Sequence, residues 1–305
     1  NALVAAAHAL CIGVAWAQTG SQAGGVYPVR PVRIVVTLAP GGSSDVVARL
    51  YALKLSEEFK QPVVVENRAG GNSIPGADHV AKSAPDGYTL LFGNSSILAI
   101  QPGLYSKLPY DPQRDFAPIS LLVFTPTVLV VHPSVSARTA GELAELARAN
   151  PGKLNYASPA VGTTNHINVE LLAQIAGIEL NHVPYKGLQA ALAATIAGDV
   201  QLYLAGFGPG RPHLAAGKLR AIAVGSAKRL PAAPDVPTLD ESGYKGMRAS
   251  NWFGLAAPAG TGAAIVKRWA DEVHVALAAP EVEKRLTELG IVPVGNTPEE
   301  FARQI

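Results

Sequence analysis

The chain has 305 residues, of which 48% are hydrophobic and 16% charged, and these values are typical of a globular protein with room for two domains. Its 25 basic and 23 acidic side chains leave a net charge of only +2, without a basic run, which argues against nucleic acid as a partner. A single cysteine, Cys11, excludes a disulfide framework and a site built from several thiolates.

Residues 1–17 predict a secretory signal peptide whose positively charged n-region is missing. The apolar segment 3–16 ends in Ala15-Trp16-Ala17, an A-x-A cleavage pattern, and residues 18–26 form a linker rich in Gly, Gln and Ser. The segment is short for a transmembrane span, and a buried helix is the alternative. We therefore expect a periplasmic protein that is exported by a cleaved signal peptide and has no cysteine once mature.

Short apolar strands alternate with amphipathic helices along the rest of the chain. Strands are predicted at 33–38, 63–66, 89–92, 154–157, 179–183, 200–204, 219–224 and 252–256. Helices are predicted at 44–58, 140–149, 165–176, 189–197 and 263–278, with a last one starting after Thr297. Residues 116–131 read as largely extended but interrupted by Pro118 and Pro126. This alternation predicts an α/β fold with parallel or mixed sheets covered by helices.

Two segments are candidate crossings between domains: the proline-interrupted stretch 116–133 and the stretch 228–247, which is rich in Pro, Asp and Gly. Two crossings make the first domain discontinuous. We expect lobe 1 to comprise residues 27–125 and 246–305, and lobe 2 to comprise residues 126–245.

A glycine turn between a strand and a helix is the most informative local feature. Pro40-Gly41-Gly42 follows an apolar run, and Ser43-Ser44-Asp45 opens a helix. Glycine allows close backbone approach, with a positive φ expected at Gly42, and a helix N-terminus attracts anions. The P-loop and dinucleotide fingerprints are absent and no cation lies between Arg33 and Arg49, so the turn favours a small carboxylate over a nucleotide. Plain packing geometry is the alternative.

Polar clusters follow four of the predicted strands. They occupy residues 40–45, 93–96, 158–165 and 205–208. Each alone is consistent with a plain loop, but ligands of open α/β sheets bind beyond the carboxyl ends of strands. We therefore expect one polar cleft shared by two domains.

An enzyme is the competing hypothesis, and the sequence offers no catalytic constellation for it. The histidines are scattered without metal-ligand spacing, and no G-x-S-x-G elbow occurs, so neither metal, cofactor nor catalytic residue is expected. His166 at a helix start favours a cap or binding contact over a base. Lys186 is read as an exposed loop lysine rather than a Schiff base, and Asp45 either contacts a ligand or complements the helix dipole.

Eight motifs in order resemble the Bug family, the periplasmic substrate-binding receptors of tripartite tricarboxylate transporters. They are YPVRPVR at 27–33, APGGSSD at 39–45, VVVENRAGGN at 63–72, APDGYTLLFG at 84–93, PYDPQRDFAPIS at 109–120, PGKLNYAS at 151–158, HVPYKG at 182–187 and WFGLAAPAGT at 252–261. The resemblance extends from Tyr27 to the end of the chain.

This resemblance implies a two-lobed, type II periplasmic binding protein of the "Venus flytrap" kind, each lobe a mixed sheet flanked by helices, without cofactor or catalysis. Such receptors grip a ligand carboxylate mainly with main-chain donors. The turns that correspond to theirs are 38–45 in the first lobe and 158–164 in the second. The ligand-binding residues that we expect are Leu38, Ala39, Gly41, Gly42, Ser43, Asp45, Asn94, Ser95, Ser96, Ser158, Gly162, Thr163, Thr164, His166, Tyr185, Lys186, Ala205 and Gly206.

Two departures from the family pattern bear on the ligand. Leu38 stands where many members have Phe, which should change the apolar wall of the cleft. Ala205 and Gly206 stand where many have Asp-Asn, so an acidic partner for a ligand amine is missing. Arg211 could offer a cation to a second carboxylate, although a solvated arginine is the alternative.

The function implied is an extracytoplasmic solute receptor that binds a small organic carboxylate between its lobes and delivers it to a tripartite tricarboxylate transporter. The expected partners are that ligand and, transiently, the membrane subunits; the protein itself is expected to be a monomer. A ligand-sensing receptor for a signalling partner and a periplasmic enzyme are the alternatives.

Overall fold

The computed structural model describes residues 27–305, so the predicted signal peptide (1–17) and linker (18–26) lie outside the described residues. The strands are β1 (Val32–Val36), β2 (Val63–Asn67), β3 (Thr89–Asn94), β4 (Phe116–Val131), β5 (Asn155–Ser158), β6 (Asn181–Pro184), β7 (Leu202–Gly206), β8 (Arg220–Val224), β9 (Ser250–Pro258) and β10 (Val292–Pro293). The helices are α1 (Ser43–Phe59), α2 (Ile74–Ala81), α3 (Gln101–Leu104), α4 (Ala140–Ala149), α5 (Thr164–Ala176), α6 (Leu188–Ala197), α7 (Phe207–Ala215), α8 (Ala263–Leu277), α9 (Pro280–Glu288) and α10 (Pro298–Gln304). None of the helices in this range is long and apolar enough to span a bilayer.

Lobe 1 is built on a mixed sheet with the strand order β2-β1-β3-β9-β4, and β10 also pairs with β4. The first three strands run parallel, while β9 is antiparallel to β3 and β4. The apolar run of β1 is buried on both faces because helices cover the sheet on each side. Tyr51 and Leu55 of α1 meet Trp269 of α8 in one core, and all three side chains are fully buried.

Lobe 2 is built on a second mixed sheet with the order β6-β5-β7-β4-β8. Strands β5, β6 and β7 are parallel to one another, and β4 runs antiparallel to β7 and β8. Buried residues of α4 and α5 pack on one face of this sheet and those of α6 on the other. The predicted α/β class with two mixed sheets is confirmed.

Strand β4 belongs to both sheets and connects the lobes. It pairs with β9 from Phe116 to Pro126, and with β7 from Thr127 to Val131. The prediction that prolines interrupt this segment is wrong. The register shifts after Pro118, and Pro126 is the last residue paired with β9, so the missing N–H groups fall at irregular positions of the ladder. The predicted lobe boundaries after residues 125 and 245 stay a prediction.

Threonine caps start three of the helices. The hydroxyls of Thr139, Thr163 and Thr297 each accept the N–H three residues further on, at the starts of α4, α5 and α10. At Thr297 the capping box is complete. At Thr139, where Glu142 also stands three residues further on, the box is only half formed, because the Glu142 carboxylate accepts the N–H of Arg138 instead.

Candidate functional site

A cavity of about 260 Å³ lies between the two sheets, where residues from both lobes meet. Large apolar side chains form part of its walls, among them Val46, Leu188, Phe207, Phe253 and Ile291. The other lining residues are Gly41, Ser43, Thr125, Pro126, Thr127, Asn165, Gln189, Gly206, Gly208, Pro209, Asn251, Leu289 and Gly290. None of these eighteen residues is charged, so an ionic ligand here has to be held by dipoles and hydrogen bonds.

Three of the helices that begin at this cavity have a glycine as their N-cap. Gly42 precedes α1, Gly187 precedes α6 and Gly206 precedes α7, and no side chain caps any of the three. The first-turn N–H groups of such helices have no intrahelical partner, and the helix dipole gives this end a partial positive charge. Three such ends around one uncharged cavity favour an anion.

The glycine turn of lobe 1 has its unusual backbone conformation at Gly41, with φ +81°. Gly42 has φ −79° and ψ 171°, so the expectation of a positive φ at Gly42 is wrong. The carboxylate of Asp45 accepts the N–H of Gly41 and pairs with Arg49, which closes the turn on itself. Burial raises the pKa of Asp45, but the bonds from Arg49 and Gly41 outweigh this effect and hold that pKa below its usual value.

Hydroxyl groups join the lobes beside the cavity. The Ser95 Oγ and Ser96 Oγ atoms of lobe 1 lie 2.8 and 3.2 Å from Thr164 Oγ1 at the start of α5. Ser95 also donates to the side chain of Asn251, which lines the cavity. Further contacts cross between the lobes elsewhere: Asn72 donates to the Val161 carbonyl.

The second-lobe turn holds a cluster of histidines. Its Gly162 N–H donates to Nδ1 of His166, and the imidazole of His166 stacks on that of His182 with ring centroids 4.2 Å apart. His182 Nε2 lies 2.6 Å from Ser158 Oγ, and the Tyr156 ring stacks beside both imidazoles, with its centroid 4.8 Å from that of His182. Burial lowers the pKa of both histidines, and the charge of His166 lowers that of His182 further.

The predicted site residues therefore fall into groups. Three of them, Gly41, Ser43 and Gly206, line the cavity, and Ser95, Ser96 and Thr164 form the contact between the lobes. The others lie in the glycine turn, at the end of β3, in the second-lobe turn with its histidine cluster, just before α6 and in β7; they are Leu38, Ala39, Gly42, Asp45, Asn94, Ser158, Gly162, Thr163, His166, Tyr185, Lys186 and Ala205.

Some of these side chains have partners that the sequence did not suggest. Leu38 packs on the lobe 1 core rather than lining the cavity, and Asn94 accepts the N–H of Ile97 behind the cleft. Arg211 donates to the Glu288 carbonyl at the end of α9, so the structure directs it to the other lobe and not into the cavity.

Sequence reasoning missed several lining residues. Asn251 and Gln189 carry side-chain amides, which can donate hydrogen bonds to a carboxylate. Leu289, Gly290 and Ile291 form one wall of the cavity. The wall follows α9, which was not predicted although Pro280 and Glu281 are a recognisable helix start. No local signal marks Asn251, because its position depends on how β9 pairs with β4.

A larger hollow of about 570 Å³ lies on lobe 1 among residues 98–114 and Ile305. It is more open, none of the residues of the four predicted polar clusters lines it, and its lining includes the exposed charged side chain of Arg114. We regard the smaller cavity as the candidate site since both lobes build it. Within residues 27–305, no group of three or more His, Cys, Asp or Glu side chains is arranged to hold a metal ion.

Comparisons with known proteins identify the family and the fold. Residues 47–305 match the family described as "Tripartite tricarboxylate transporter family receptor". BugT of Bordetella pertussis is 37% identical over 90% of this chain and 84% of its own. Rpa4515 of R. palustris, solved with adipate, is 35% identical with a TM-score of 0.86, over 92% of this chain and 93% of that one. MatC of Rhodopseudomonas palustris, solved with bound malate, is 33% identical with a TM-score of 0.83, over 91% of this chain and 96% of that one. The chain therefore belongs to the receptor family of the tripartite tricarboxylate transporters, which confirms its resemblance to the Bug proteins.

Proposed function

We propose that this protein is a solute receptor that binds a small organic carboxylate in the cavity between its lobes. The observation that carries the proposal is the convergence of the α1, α6 and α7 N-termini on a cavity lined by no charged residue. The adipate and malate in the structures of two relatives support the same ligand class.

The preferred ligand has no amino group. Ala205 is buried at the end of β7, Gly206 lines the cavity, and no acidic side chain is among the lining residues. Burying an ammonium group without a counter-charge costs several kcal/mol. Aspartate and glutamate are therefore poor ligands compared with acids of the same length that lack the amine.

Family membership supports delivery of the ligand to membrane subunits of a tripartite tricarboxylate transporter, from the periplasm and as a monomer. The lobes, with boundaries after residues 125 and 245, close on the ligand by a hinge in β4 and in the segment that precedes β9. Closure removes water from the anion, which strengthens each hydrogen bond to it.

Thermal unfolding of the purified protein with a panel of acids tests this function. Succinate, malate, adipate, citrate, benzoate and nicotinate are compared with aspartate and glutamate. A specific ligand at a hundred times Kd adds about 2.7 kcal/mol to the free energy of unfolding. Mass spectrometry of the recovered ligand should show it unchanged. Stabilisation only by aspartate or glutamate, or turnover of the ligand, would contradict the proposal.

The role in delivery needs a separate experiment. Affinity purification of the receptor from membranes with and without ligand should recover transporter subunits. Recovery of a sensor protein instead would favour the signalling alternative.

A further inference from the structure

The orientation of the Asn251 amide is determined by its neighbours. Its Oδ1 atom lies 2.9 Å from the backbone N of Trp252 and 2.5 Å from Ser95 Oγ. A backbone N–H can only donate, so the atom that faces it must be the amide oxygen. The NH₂ group consequently occupies the other branch of the side chain.

This assignment also fixes the direction of a chain of hydroxyl groups. Ser95 has one hydroxyl proton and uses it toward Asn251, so in its 2.8 Å contact with Thr164 Oγ1 it must accept. Ser96 Oγ accepts the Thr164 backbone N–H at 3.2 Å and can donate to Thr164 Oγ1. The chain runs from Ser96 through Thr164 and Ser95 and ends on the Asn251 oxygen.

The NH₂ group of Asn251 is available to a ligand. Asn251 is partly exposed and lines the cavity, and no residue between 27 and 305 accepts a hydrogen bond from its Nδ2 atom. Its backbone is held by pairing with Thr125 of β4, whose hydroxyl donates to the Asn251 carbonyl at 3.1 Å. The donor is thus fixed in place before a ligand arrives, which reduces the entropy cost of binding.

We propose that Asn251 is a specificity-determining ligand contact, whose Nδ2 donates to a carboxylate of the bound acid. This assignment rests on the proposed function. The donor lies where β4 and β9 pair between the lobes, so it adds a side-chain hydrogen bond to the main-chain donors of the three helix N-termini. Because the free NH₂ group can only donate and the amide carries no negative charge, the position favours an acceptor such as a carboxylate.

An isosteric substitution tests the assignment. In Asn251→Asp one oxygen keeps the bonds from Trp252 and Ser95, and the second oxygen brings a negative charge into the cavity. Calorimetry with whichever of succinate, malate and adipate stabilises the wild type most should show affinity reduced about a hundredfold in Asn251→Asp. Asn251→Ala removes the donor without adding charge and should lose about tenfold.

The control is Asn181→Asp, which makes the same charge change at an exposed position at the start of β6 and should bind like the wild type. Melting temperatures without ligand establish that each variant is folded. If Asn251→Asp does not fold, Asn251→Ala decides alone.

A pH series separates a ligand contact from general damage. In the Asn251→Asp variant, the negative charge of the bound ligand raises the pKa of the introduced carboxyl above its ordinary value of about 3.9, so the complex takes up a proton as the pH falls toward about 5, which removes the charge and restores a donor. The ratio of the Asn251→Asp Kd to the wild-type Kd should therefore shrink with falling pH. A ratio that does not change with pH, or equal affinities for Asn251→Ala, Asn251→Asp and the wild type, would overturn the assignment. A wild type that binds none of the acids would instead overturn the proposed function, and the assignment with it.

Discussion

Ser95 and Thr164 belong to different lobes, yet their hydroxyl oxygens lie 2.8 Å apart, and both residues are buried. The bond between them exists only while the lobes are together. It therefore contributes to the free energy of the closed arrangement rather than to the fold of either lobe.

Thr164→Val should weaken ligand binding without destabilising the free protein. Valine has the same shape but no hydroxyl, so closure leaves Ser95 without its donor and costs about 1 kcal/mol, close to a fivefold increase in Kd. Calorimetry measures the change. Thr195→Val is the control, since the Thr195 hydroxyl bonds only to the Ala191 carbonyl of its own helix. Equal Kd values for Thr164→Val and the wild type would show that this bond does not stabilise closure.

The two glycines of the first-lobe turn should respond differently to substitution. Gly41 has φ +81°, where an alanine is strained, whereas Gly42 is extended and an added Cβ would meet only the Ala39 carbonyl at 3.7 Å. Gly41→Ala should lower the free energy of unfolding by about 1–2 kcal/mol and displace the turn from the ligand. Gly42→Ala should stay close to the wild type in both respects. Urea unfolding and calorimetry test the pair, and identical behaviour would contradict this account.

Substitutions at two threonine caps can separate an effect on protein stability from an effect on ligand binding. Thr163→Ala and Thr139→Ala each remove a hydroxyl that accepts a free N–H in the first turn of a helix, so each should cost about 1 kcal/mol of stability. Thr163 also donates to the Ala160 carbonyl within the second-lobe turn. Only Thr163→Ala should therefore weaken ligand binding as well. A loss of affinity in Thr139→Ala would mean that cap stability alone explains the effect.

The stacked histidines should make stability depend on pH. Burial lowers the pKa of both His166 and His182 below the ordinary value of 6.5, so the folded state holds fewer protons than the unfolded state in mildly acidic solution. The contribution of the two neutral histidines to the free energy of unfolding is fully present above about pH 6.5, and it is lost as the pH falls below that value. The Glu170 carboxylate opposes the shift at both rings, and Tyr156 completes the group.

Melting temperatures at about pH 5.5 and pH 7.5 test this sign. The wild type should melt at a lower temperature in acid, and the difference should be smaller in His182→Gln, which keeps a hydrogen-bonding group but cannot titrate. The same difference in both proteins would rule out the pair as its source.

Arg211 should act on all ligands alike. It is exposed and donates to the Glu288 carbonyl across the lobes at 2.9 Å. Arg211→Ala should therefore reduce the affinities for benzoate and for malate by the same small factor, about fivefold or less. A loss confined to acids with two carboxylates would instead indicate that Arg211 binds the second one.

Features that depend on neighbouring residues could be predicted from the sequence. The complete capping box at Thr297 and the strand–glycine–helix unit at Gly41 are examples, because a few adjacent side chains decide each. The two mixed sheets also followed from the alternation of apolar strands and helices.

Features that depend on long-range pairing could not be predicted. Pro118 was expected to break a strand, but pairing with β9 and a shift in register accommodate it. Asn251 reaches the cavity because β9 returns to β4 after more than a hundred residues, and no neighbouring residue signals this. The positive φ fell on Gly41 rather than Gly42 because Asp45 accepts the Gly41 N–H.

The position of strand β9 in the chain also determines which lobe can complete its sheet first during synthesis. It fills the place between β3 and β4 in the sheet of lobe 1, although it follows every strand of lobe 2 in the chain. As the polypeptide emerges from N- to C-terminus, the lobe 2 sheet is complete at β8, whereas β3 and the first half of β4 keep open edges until residues 250–258 arrive. Open strand edges are prone to aggregation, so lobe 1 is the part of the nascent chain that most needs protection.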